Sequence, residues 1–338
     1  MTNRNKFLGV ASVIALFACN AGPAFAAGTL QGTNIVNTAT VNFTVGGVVQ
    51  TAQTASNTIV VDRRVNLVVA NVGATTSVSP NQTNAVTSWT LTNSSNDTLD
   101  FALSATAQAN GQTGQHGTTT AFVPSLTNVK YYLDPGNTGL VAGPGVTQVT
   151  YLDEIAPDAI VRLLVVADIP ASATNAQVGG IILTGTAEAG GTSGTQGAVF
   201  TCANGSANTA GVDTICADGA GVLGGDVVND GKHSAKGDYT IAAPVLSVNK
   251  NSVIISDPVN TAAGGSTPHA IPGAVVEYCI VVANAAGAGA TASGITIGDN
   301  LPQTGSTPLV VYTGGNAIFL NASVAGTVCT GEIGRAHV

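Results

Sequence analysis

The residues able to do chemistry are few and scattered. Within the body of the chain the histidines are His116, His233 and His269, each set among Gly, Ser, Thr or Pro. None lies in a nucleophile or zinc pattern, so each reads as a solvated loop residue rather than a catalytic base. Acidic residues cluster twice. "YLDEIAPD" holds Asp153, Glu154 and Asp158, which read as a surface turn ahead of a strand. "GGDVVNDGKHSAKGD" holds Asp226, Asn229, Asp230 and Asp238, oxygen-bearing side chains among glycines that are the calcium candidates of this chain. The spacing of a helix-loop-helix calcium loop is missing, and the competing reading is a polar loop. Paired carboxylates of a glycosidase would want an aromatic sugar platform, and none accompanies these acids. Lys250, Glu277 and Asn284 are the types that form a Lys–Asn isopeptide crosslink, against which stands a plain exposed lysine. The expectation is a chain with no catalytic residue and no cofactor.

The elements around these residues follow from composition. Of 338 residues only 8% are charged, far below the roughly 25% of an average globular protein. Glycine contributes 42 residues, and Thr, Asn, Ser, Ala and Val supply much of the rest. Gly, Asn, Thr and Val resist helix, while Thr and Val favour strands and Gly and Asn favour turns. An all-β fold is predicted, with aromatic residues at only 4% and cores built from Val, Ile, Leu and Ala. The formal charge is -8, without clustered Lys or Arg, which excludes a nucleic-acid surface.

Along the chain, residues 27–66 read as a β-hairpin segment turning at Gly46-Gly47. Residues 67–189 carry alternating runs such as "VTSWTLTN", "TLDFALSATA" and "VGGIILTGTAEA", about one strand per ten residues. That rhythm predicts an immunoglobulin-like β-sandwich with Trp89 in its core. In residues 190–243 the alternation dissolves into Gly, Asn and Ala, predicting a disulfide-stapled loop or linker, and residues 244–331 resume strands. The fold class is therefore all-β, tandem immunoglobulin-like sandwiches with long Gly/Asn/Thr-rich loops.

Residues 1–26 pair Arg4 and Lys6 with an apolar run and end in Ala24-Phe25-Ala26, a secretory signal cleaved between Ala26 and Ala27. Cys19 sits in a loose lipoprotein box, the alternative processing site. Export puts the remaining cysteines in an oxidising compartment, where Cys202 with Cys216 and Cys279 with Cys329 pair by proximity among three possible connectivities. No other stretch is long and apolar enough to span a membrane.

Pro272, Gly273, Val276, Tyr278, Ile280, Asn284, Asp299, Leu301 and Pro302 together match the pattern "PG…v.Y.i.v.N.G…v.i.D.lP". In this the last quarter of the chain resembles the conserved repeat domain of bacterial surface proteins, domain of unknown function eleven. The resemblance implies an immunoglobulin-like sandwich arrayed in tandem in exported proteins. It also absorbs the pentapeptide "LPQTG" at 301–305, which otherwise resembles a sortase signal. The apolar helix and basic tail of such a signal are missing, because Gly314, Gly315, Asn316 and Asn321 interrupt every apolar run after it. Residues 332–338, "EIGRAHV", read as a translated sequencing-adapter start, so the repeat is expected to be cut short there. The function expected is that of a non-enzymatic exported structural or adhesive repeat protein, placed at the cell surface, in the outer membrane or outside the cell, with a Gram-negative setting favoured because the sortase signal fails. Its partners would be neighbouring repeats and a surface or matrix component. The alternatives are accessory domains of a secreted enzyme, or a calcium- or carbohydrate-binding module.

Overall fold

The structure, a computed structural model, describes residues 28–142, 144–260, 267–301, 303–304, 307–312, 324–325, 328–329 and 335–337. Among them every regular element is a strand, and the all-β fold predicted from composition is what the chain adopts.

The first element is a ribbon. β1 (Asn34–Val41) runs antiparallel to β4 (Gln53–Val60) through eight consecutive pairs, and its tip carries the short strands β2 (Thr44–Val45) and β3 (Val48–Val49). Gly46 and Gly47 close that tip with φ of 60° and 85°. Both central turn positions need the left-handed region, which glycine enters without a Cβ clash, so the predicted Gly-Gly turn forms.

A sandwich comes next. Its strands are β5 (Arg63–Val65), β6 (Leu67–Asn71), β7 (Thr76–Val78), β8 (Ala85–Asn93), β9 (Leu99–Ala107), β10 (Ser125–Leu133), β11 (Thr147–Val149), β12 (Tyr151–Ile155), β13 (Ile160–Asp168), β14 (Val178–Ala189), β15 (Thr214–Cys216) and β16 (Lys232–Ile241). One sheet has the order β11-β10-β13-β8-β6, the other β12-β9-β14-β16-β7. Successive strands mostly switch sheets, so each crossover brings the inward faces together. β8 shows why: Ala85, Thr87, Trp89, Leu91 and Asn93 are buried in strict alternation. Trp89 is 1% exposed, and its indole N–H donates to Thr87 Oγ1 at 2.9 Å, so the buried polar edge is satisfied. Across the core it meets Phe101, Leu183 and Tyr239 in one apolar cluster.

Two boundaries differ from the sequence reading. Residues 63–65 do not continue the hairpin segment; β5 pairs in parallel with β15, and Val65 is fully buried. The stretch 190–243, read as loop or linker, contains β16, which pairs with β14 over nine residues. Its sequence, "KHSAKGDYTI", lacks alternation because its neighbours demand special residues. A Cβ on Gly237 would lie 2.5 Å from the Trp89 ring, so only glycine leaves room there.

Beyond the sandwich β17 (Leu246–Ser256) pairs antiparallel with β18 (Val275–Asn284). The short strand Arg335–His337 pairs with β18 on its other side, and Val311–Tyr312 lies beyond it.

Candidate functional site

On β9 the two-residue period turns Leu99, Phe101 and Leu103 into the core and Asp100 outward. Asp100 faces Glu188 of β14 across the ladder, and β12 brings up Asp153 and Glu154 alongside. Oxygens of Asp100, Asp153 and Glu154 lie within 4.8 Å of one another, and this is the one such acidic grouping among the described residues. Asp100 is fully buried and Glu188 is 5% exposed.

A cluster of carboxylate oxygens has the donor chemistry of a hard cation. These oxygens, however, already carry protein donors. Asp100 accepts the Glu154 and Gly197 N–H groups at 2.8 and 2.9 Å. Asp153 accepts the Gly194 N–H on both oxygens and the Ser193 hydroxyl at 3.0 Å. Glu154 accepts the Gly191 N–H, and Gln196 donates to Glu188 at 2.8 Å. The acids thus hold the Gly-rich segment 190–197 down onto the sheet. Burial, then the Asp153 carboxylate, pushes the Tyr151 phenol up. Asp153 and Glu154 belong to a strand rather than to the turn expected of them. Asp158 does lie in a turn, at φ 61°, with its N–H on Asn93 O.

The calcium candidates do not converge. Asp238 sits mid-strand in β16 and accepts the Gln115 and His116 N–H groups, both at 2.8 Å. It stands four residues beyond Ser234, about 13 Å along an extended strand, from the loop of Asp226, whose Val222 and Leu223 N–H groups both donate to Ser234 Oγ. There Asp226 accepts the Gly221 N–H and Asp230 accepts those of Val227 and Lys232. Asn229, at φ 63°, donates its N–H to Asp218 O. Asp218, which sequence reasoning passed over, accepts the Gly231 N–H at 2.8 Å, and burial pushes its carboxyl up.

The histidines are less free than expected. His116 Nδ1 lies 3.3 Å from the buried Asp238 and 3.0 Å from Thr75 Oγ1. Hydroxyl and carboxylate meet the same ring nitrogen, whereas a proton relay needs them on opposite nitrogens. His233 Nδ1 accepts the Val69 N–H at 3.1 Å, and His269 donates its N–H to Asp257.

Cys202 and Cys216 form the expected disulfide, with Cα atoms 5.5 Å apart. Beside it Arg63 pairs with Asp97 at 2.7 Å and lies over the Phe200 ring at 4.8 Å. Cys279 is disulfide-bonded as well, while the side chain of Cys329, its expected partner, lies outside the described residues, as do Cys19, Ala26 and Ala27. Lys250 pairs with Asp299 at 2.6 Å and lies 5.1 Å from the Tyr278 ring centre. Its cross-strand partner is Ile280, whereas Glu277 pairs with Val253 and Asn284 with Leu246, so the crosslinking trio is not assembled.

One further polar side chain lies where the sandwich ends. Asn175 Oδ1 accepts the N–H groups of Ala243 and Gly289, each at 3.0 Å, and its Nδ2 donates to Gly287 O at 3.0 Å. Nothing in the loop sequence "SATNAQ" signals this role, because all three partners are remote in the chain.

Comparison with known proteins finds no matching family model and no similar curated protein. Among the described residues no helix is long and apolar enough to cross a membrane.

Proposed function

We propose that this chain is a non-enzymatic exported protein of the bacterial cell surface, whose sandwiches serve as structural or adhesive units in a tandem, immunoglobulin-like array. The observation that carries this reading is the joint at Asn175. The sandwich ends at Ile241 and the next strand begins at Leu246, so only four residues connect them. One amide clamps that connection from both sides. Short, hydrogen-bonded joints transmit orientation and load between units, whereas Gly/Ser-rich linkers lose it to chain entropy. The charge-poor surface, the signal-like N-terminus and the repeat-like pattern after Pro272 support the same reading. Adhesion as such rests on analogy with the resembled repeats and not on a site.

The test is location. Antibodies against residues 63–243 are expected to label intact cells of the producing bacterium, and protease treatment of those cells to release the chain. A protein confined to the cytoplasm, untouched by the protease, overturns the reading.

A further inference from the structure

The ribbon of β1 and β4 is built unlike the rest of the molecule. All eight residues of β1 and seven of the eight in β4 are exposed, with no core beneath them. Ile35, Val36, Val41 and Ile59 are 49 to 61% exposed. Between Gly28 and Val61 the chain has no Asp, Glu, Lys, Arg or His, although the whole carries -8. Among the described residues its sheet has two members only, so each strand keeps one edge of N–H and C=O groups with no described strand beside it. Natural sheets blunt such edges with lysine, proline or a bulge. This ribbon has no proline, no charge and an unbroken register. Two strands alone are marginally stable in water; further strands are what stabilise them.

We propose that the β1 edge is a self-association surface, filled by the β1 edge of a second copy of this chain. Charge selects that partner: an uncharged edge offers nothing to steer a charged peptide, and it is where two acidic chains approach without local repulsion. Geometry selects a two-fold arrangement. Ribbons laid side by side in the same direction would be about 10 Å apart, too close for two five-stranded sandwiches each some 20 Å wide. A two-fold axis at Thr38 places the sandwiches at opposite ends. It sets Ile35 of each copy opposite Val41 of the other, apolar against apolar. The same construction on β4, with the axis at Asn57, sets only the smaller Ala55 opposite Ile59, a weaker apolar pair than Ile35 with Val41. An edge contact of this size falls below the roughly 1,200 Å² at which stable interfaces begin, so a dissociation constant on the order of 1–100 μM is expected.

Sedimentation equilibrium of the full chain from 1 to 200 μM tests this, with amide hydrogen exchange of residues 34–41 at both ends of the range. A monomer–dimer equilibrium is expected, with protection of β1 rising with concentration. Thr38→Lys, at an exposed position that leaves the sandwich untouched, puts two ammonium groups face to face. It is expected to weaken dimerisation at least ten-fold at low salt, with partial recovery at 0.5 M salt. Ile160→Lys, on an exposed site of β13, is expected to change nothing. A monomer throughout the range overturns the proposal, as does a dimer indifferent to Thr38→Lys. Equal protection of β1 at 1 and 200 μM also overturns it, since another segment of the same chain would then cover the edge.

Discussion

At the scale of single residues, the polar side chains of this protein are spent on holding loops. Asp257 is the sharpest case. Burial pushes its carboxyl up, but the N–H groups of His269, Asn260 and Val259 outweigh that and hold it well below the usual carboxylate range. A depressed carboxyl stabilises the fold at pH values above its unfolded value near 4, and that contribution is lost as pH falls through the folded value. The amides of Asn260 and His269 are therefore expected to stay protected from exchange at pH 4 and to open only in stronger acid. Asp257→Ala should open them already at pH 7, read by exchange-resolved NMR. Gly237 acts by absence. Gly237→Ala drives a Cβ to 2.5 Å from Trp89 and is expected to cost about 1–3 kcal/mol, a typical overpacking penalty. Because Trp89 is the one tryptophan, denaturant titration followed by its fluorescence reads that cost directly.

At the scale of elements, the staple at Cys202–Cys216 matters because β15 has only three residues to pair with β5. A loop of that length closed by a disulfide stabilises by about 3 kcal/mol through the unfolded state. The variant carrying both Cys202→Ser and Cys216→Ser is expected to lose roughly that much, read as a lower denaturant midpoint, with a slope that is equal or steeper because the uncrosslinked chain unfolds to a less compact state. Its first symptom should be proteolysis between 203 and 213, where the backbone has few partners beyond Asp213 and the Ala203–Ser206 turn. The acids of β9, β12 and β14 do the parallel task for 190–197. Asp100→Ala takes the acceptor from the half-buried N–H groups of Glu154 and Gly197, and a loss of about 1–3 kcal/mol is expected.

At the scale of the whole molecule, Asn175 ties the sandwich to the segment leading into β17 and to the turn after β18. Asn175→Ala removes three hydrogen bonds around Ala243, Gly287 and Gly289 without touching the core. The stability of the sandwich is expected to change by no more than about 1 kcal/mol, because Asn175 is half-buried at its rim and not in its core. Small-angle scattering should instead show a broader distribution of distances between the two parts. An unchanged distribution would mean that the joint is rigid without this amide.

Composition and two-residue alternation were enough to specify the strands that carry their own pattern. "VTSWTLTN" and "VGGIILTGTAEA" became β8 and β14, and Gly46-Gly47 became the turn at the tip of the ribbon. Those signals are local, since a pleat and a left-handed turn are read from neighbours in sequence. β16 was illegible for the opposite reason. Its Gly237 answers Trp89, its Asp238 answers the loop at 115–116, and its His233 answers Val69, each more than a hundred residues away. The grouping of Asp100, Asp153, Glu154 and Glu188 likewise exists only because β9 lies between β12 and β14. Strand identity was a property of the chain alone; which polar residues meet was decided by sheet order, because sheet order sets which strands lie side by side.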